Sequence, residues 1–74
     1  MDKTTKVIIN LLREIYPIKL HSVEIAVFAL DWYNWKYQGK TPKQTIDARL
    51  NEKEHDNIEK LGDNWFRYKP DDKS

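Results

Sequence analysis

The chain has 74 residues, no cysteine, and 13 basic against 12 acidic side chains, for a formal net charge of +1. A chain of this length is expected to fold as one domain that buries only about 60% of the surface its unfolded form exposes. Without cysteine, neither a disulfide nor a thiolate metal site can reinforce it, so aliphatic burial and the bulk of three Trp, four Tyr and two Phe must do so.

No apolar run has the length of a membrane span, and no charged leader followed by an apolar run opens the chain. The expected setting is therefore cytoplasmic or nucleoid-associated, with no membrane partner. The even charge balance hides a gradient. Residues 1–33 carry four basic and four acidic groups, residues 34–50 carry Lys36, Lys40, Lys43 and Arg49 against Asp47, and residues 51–74 carry five basic and seven acidic groups. The one local positive excess falls in the middle of the chain, where it points to an anionic partner or to an ordinary solvated surface.

Val7, Ile8, Leu11, Leu12 and Ile15 recur at helical spacing behind Thr4 or Thr5, either of which can cap, so a first helix is predicted from about Thr5 to Ile15. Pro17 disfavours helical dihedrals at Tyr16 and ends it. Ile18 to Leu20 reads as a short strand. His21-x-x-Glu24 has the spacing of a capping box, with Ser22 as a competing cap, so a second helix begins at Ser22 or Val23. Its stripe of Ile25, Ala26, Ala29, Leu30 and Tyr33 is widened by Val23, Val27 and Phe28, which predicts core on more than one side.

The aromatic stretch DWYNWKYQ shows no period and reads as a fraying helix end and a loop. Gly39 breaks it, Thr41 can cap, and Pro42 suits a first helical position, where its missing N–H costs nothing. A third helix is predicted from Pro42 to Glu52 or Glu54, anchored by Ile46 and Leu50 with help from Ala48 and the Thr45 methyl. Lys43, Gln44, Asp47 and Asn51 fall on its other side. In NIEKLGDNWFRYK, two runs of β-formers flank Gly62, Asp63 and Asn64, which predicts a hairpin with Phe66 and Tyr68 on its more buried face. The expected fold is mainly α with a small β-hairpin: a winged helix-turn-helix of three helices, a short strand after the first helix and a C-terminal wing. It would span residues 1–69, followed by a disordered tail at 70–74.

Two stretches, LHSVEIAVFAL and GKTPKQTIDARL, together resemble the HARE-type helix-turn-helix family, a winged-helix domain of chromatin proteins, restriction and modification systems, and the delta subunit of bacterial RNA polymerase. Leu20, His21, Glu24, Ile25 and Ala26, then Gly39 to Pro42, then Ala48, Arg49 and Leu50 carry the resemblance. Asn51 stands where family members often have an aromatic residue, and Asn64 where they have a wing glycine. The resemblance implies DNA binding linked to transcription or restriction-modification, or contact with a protein that handles nucleic acid.

A third helix lying in the major groove would offer Lys43, Gln44 and Asp47 to base edges, with Asn51 on the same polar side. Lys40, Thr41 and the free amides of the helix start suit a phosphate. Lys36 and Lys40 alternate with Trp32, Trp35 and Tyr37, a mixture that suits nucleic acid, a protein partner, or the cap of a small core. Arg67, Lys60 and Lys69 could bring the wing to a backbone, although Asp63 at its tip opposes deep insertion. Arg49 is expected to bridge to a carboxylate such as Glu24 or to cover core with its stem.

Catalysis has little support. His21 reads as a cap rather than a base, and His55 has no Ser or Cys partner. Glu52, Glu54, His55 and Asp56 read as a solvated helix end rather than a metal site. The expectation is a protein without enzymatic activity, cofactor or small-molecule substrate.

Overall fold

A computed structural model describes residues 3–36, 41–52 and 55–70. Three helices, α1 (Lys3–Ile15), α2 (Ser22–Tyr33) and α3 (Pro42–Glu52), pack with a small antiparallel sheet of β1 (Leu20–His21), β2 (Ile58–Gly62) and β3 (Trp65–Tyr68) in the order β1-β3-β2. The predicted tail at 70–74 lies, beyond Pro70, outside the described residues, as do Gly39 and Glu54.

α1 begins earlier than predicted, which places Thr4 and Thr5 inside it rather than at its cap. Thr5 is buried, and Thr4 turns its hydroxyl to an aromatic partner described below. Ile8, Leu11 and Leu12 are sealed in the core, while Val7 and Ile15 sit at its margin. The helix stops at Ile15, and the Tyr16-Pro17 peptide is cis.

The strand predicted from Ile18 is shorter. Ile18 donates its N–H back to the Ile15 carbonyl at 2.9 Å and is 61% exposed, so pairing begins only at Leu20. There Leu20 lies opposite Phe66, and His21 opposite Trp65.

His21 then starts α2 as its sequence spacing indicates. Its Nδ1 accepts from the Val23 N–H at 3.2 Å, and its own N–H donates to Glu24 Oε1 at 3.1 Å. Two otherwise orphaned amides are satisfied by one reciprocal box, a cap of the kind that contributes about 1 kcal/mol. Ser22 donates its N–H to the Asn64 carbonyl at 2.9 Å, which ties the start of α2 to the hairpin turn.

α2 packs against both α1 and α3, with Phe28, Leu30 and Tyr33 at the margin of the core, but Val23 and Val27 do not widen its buried face. Ser22, Ile25, Ala26 and Ala29 are buried, whereas Val23 and Val27 are exposed and Phe28 is half-buried. Its end does not fray either. Asn34 adopts the left-handed conformation (φ 48°, ψ 40°), and the Trp35 N–H reaches back to the Ala29 carbonyl at 3.1 Å. That six-to-one bond is the Schellman closure, which Asn tolerates and which commonly carries an apolar residue back onto the helix. Trp35 is that residue.

The hairpin forms through Asp63 and Asn64, both at positive φ (53° and 65°), as a two-residue turn matched to the strand twist requires. Gly62 (φ 91°) accommodates the register shift that precedes it. Phe66 is buried, but Tyr68 and Trp65 are each half-buried. Trp65 is enclosed by the His21 ring at 5.3 Å and Lys19 Nζ at 5.0 Å, so both faces of β3 carry aromatic packing.

Candidate nucleic-acid interface

α3 is held to the core by two fully buried side chains, Ile46 and Leu50. Thr41 caps it, accepting the Gln44 N–H on Oγ1 at 3.1 Å and the Thr45 N–H on its carbonyl at 3.2 Å. Thr45 is half-buried, as its predicted supporting role requires, but Ala48 is exposed. Ala48 therefore leaves the anchoring face and joins an outer ridge with Gln44 and Asn51, at spacings of four and three residues, all three exposed.

The charged candidates beside this ridge are already engaged. Lys43 Nζ contacts Asp47 Oδ2 at 2.5 Å, an i,i+4 pair. The other Asp47 oxygen is buried and has no partner among the described residues, and the side chain is only 26% exposed. Asp47 is thus turned partly into the protein, with its accessible oxygen held by Lys43. The Asn51 side-chain amide donates to the Asp47 carbonyl at 2.9 Å, folding back along its own helix. Lys36 is exposed, and Lys40 lies outside the described residues.

Arg49 bridges to Glu52 at 3.0 Å rather than to Glu24, whose carboxylate serves the α2 cap. His55, read from sequence as part of a solvated helix end, sets Nε2 3.0 Å from the Arg49 carbonyl and so satisfies one of the last carbonyls of α3. Its role depends on the chain turning back after α3. No spacing rule within the helix could have revealed it.

Arg67 is not a free cation on the hairpin. Nε and a terminal nitrogen both donate to Glu59 Oε1, at 3.0 and 2.6 Å, across the register that sets Glu59 opposite Arg67. Asn57 and Lys69 close the base of the hairpin, with the Lys69 N–H to the Asn57 carbonyl at 2.9 Å and the Asn57 side chain to the Lys69 carbonyl at 3.2 Å. Lys60 and Lys69 line a small open depression with His55, Ile58 and Glu59.

The aromatic candidates separate sharply. Trp35 is 4% exposed and donates its indole N–H to Thr4 Oγ1 at 3.0 Å, so it belongs to the core and not to an interaction surface. Trp32 is 52% exposed, its ring tilted against Phe28 at 4.7 Å. Tyr37 lies outside the described residues.

Next to Trp32, Tyr33 donates its hydroxyl to Glu14 Oε2 at 2.7 Å. Burial, followed by this hydrogen bond, raises the Tyr33 pKa above its ordinary 10.0. The unfolded phenol ionises first. Stability contributed by Tyr33 is therefore intact below pH 10 and is lost as pH rises through the elevated folded value. In urea melts at about pH 9 and about pH 11, Tyr33→Phe is expected to lose less stability between the two than the parent does. Equal losses would show that this phenol does not drive the alkaline decline.

Among the described residues, no group of three His, Asp or Glu side chains could hold a metal ion, and no helix is long and apolar enough to cross a membrane. Comparison with protein-family models, curated proteins and solved structures finds no match.

Proposed function

We propose that this domain is a winged helix-turn-helix module that binds duplex DNA, with α3 as the reading helix and the β2–β3 hairpin as the wing. The observation that carries the proposal is the outer ridge of α3. Gln44, Ala48 and Asn51 stand exposed beside Lys43 on a helix whose inner side is pinned by Ile46 and Leu50. Gln and Asn can each pair bidentately with adenine, an Ala methyl can meet the thymine methyl, and Lys can reach guanine or a phosphate.

The strand order β1-β3-β2, with the strand between the first two helices joined to the hairpin, supports the same architecture. So does the resemblance of LHSVEIAVFAL and GKTPKQTIDARL to the HARE-type family. The existing side-chain bonds do not block contact. An exposed pair such as Lys43–Asp47 contributes about 0–1 kcal/mol, little enough for Lys43 to exchange its carboxylate for a phosphate. The Asn51 amide can likewise exchange its carbonyl acceptor for a base.

Near-zero net charge limits affinity, and a single module makes few phosphate contacts, so tight binding would need a dimer or a larger assembly. A labelled duplex titrated over a salt series tests the proposal. Affinity should fall steeply with salt, and Lys43→Glu should weaken binding and reduce the salt slope by roughly one. Gln44→Ala should weaken binding to preferred sequences more than to random ones. Undetectable binding at low salt, or indifference to the charge reversal, would remove α3 as the reading helix.

A further inference from the structure

A second surface, sharing no residue with the α3 ridge, joins the C-terminal ends of α1 and α2. Glu14, Ile15, Trp32 and Tyr33 line an open groove there. Trp32 presents half of its indole to solvent and rests against Phe28, which restrains the ring. Glu14 is exposed, yet its carboxylate is oriented by the Tyr33 hydroxyl on Oε2. The neighbouring cation Arg13 donates to Asn10 Oδ1 at 2.6 Å.

We infer that this groove docks an arginine side chain from a basic segment of a partner protein, the guanidinium stacking on Trp32 and pairing with the Glu14 carboxylate. Charge and shape select this occupant. A purely apolar segment would leave a carboxylate desolvated, and an acidic one would meet Glu14. A planar guanidinium stacks on an indole and donates to a carboxylate at once, which a compact ammonium does less well. None of this chain's three arginines lies in a basic run, since Arg13 precedes Glu14, Arg49 stands between Ala48 and Leu50, and Arg67 between Phe66 and Tyr68, so a basic segment has to come from another protein.

The test is fluorescence anisotropy of a labelled Gly-Arg repeat peptide titrated with the full chain, beside Gly-Lys and Gly-Glu peptides of matched length. The Gly-Arg peptide should bind most tightly and the Gly-Glu peptide not at all. Trp32→Ala and Glu14→Gln should each weaken the Gly-Arg complex by about fivefold to tenfold. Both side chains are exposed, and the amide oxygen introduced by Glu14→Gln still offers Tyr33 an acceptor, so thermal melts should stay close to the parent's.

Lys43→Glu should leave peptide binding intact, which separates failure here from failure of the DNA proposal. Peptide binding that is absent, or that survives both variants unchanged, overturns the inference. So does sedimentation showing a dimer that Trp32→Ala dissolves, because a second copy would then own the groove.

Discussion

Replacing Trp35 with alanine is expected to lower the unfolding free energy by about 3–5 kcal/mol, the range for deleting a buried aromatic side chain. A domain of this size has roughly 4–11 kcal/mol in total at the usual stability per residue, so the variant should unfold at a much lower urea concentration or lose its cooperative transition. Trp35 is 4% exposed, closes the Schellman turn after α2, and hydrogen-bonds Thr4 of α1. Its loss would open a cavity and orphan a link between two helices.

Trp35→Phe should be much milder, retaining most of the volume and losing the indole donor, a difference of about 1 kcal/mol. Trp32→Ala should cost less than about 1 kcal/mol, because that ring is already half in water. Urea denaturation followed by circular dichroism compares the three. A Trp35→Ala midpoint equal to that of the parent would show that Trp35 is not part of the core.

The second large effect is expected from Leu50→Ala, at about 2–5 kcal/mol. Leu50 and Ile46 are the two fully buried residues that α3 contributes, so each carries a large share of that helix's attachment. At about 4–8 °C per kcal/mol for a domain of this size, the thermal midpoint should fall by more than about 10 °C. Gln44→Ala, on the outer ridge of the same helix, should stay within about 0.5 kcal/mol of the parent. A calorimetric comparison of the two variants separates the anchoring face from the presenting face. Similar midpoints for both would mean that α3 contributes little to the cooperative unit.

These expectations also govern how function can be probed. Trp35→Ala cannot report on partner binding, since a lost signal would follow from unfolding. Trp32 and Glu14 are the variants that touch a surface, and Lys43 and Gln44 touch the α3 ridge without disturbing what holds it. The structure thus separates exposed Trp32 from buried Trp35, which lie three positions apart in one aromatic stretch of the sequence.

The amino-acid sequence by itself determined the features that rest on neighbours in the chain. The stripe of α1, the His21–Glu24 box, the Thr41–Pro42 start of α3, its Ile46 and Leu50 anchors, and the left-handed turn at Asp63 and Asn64 all follow from spacing and backbone preference within a few residues. Only the tertiary structure decided which tryptophan is buried, because Asn34 reverses the chain and carries Trp35 against Thr4, 31 positions away.

The fold likewise placed Ala48 outside and one oxygen of Asp47 inside, a matter of how α3 is rotated on its two anchors. Strand register paired Arg67 with Glu59, and the return of the chain after α3 brought His55 to the Arg49 carbonyl. Local free-energy preferences are written in adjacent residues. Burial and pairing depend on which distant segments meet, and in a core this small a single turn reverses the role of a residue.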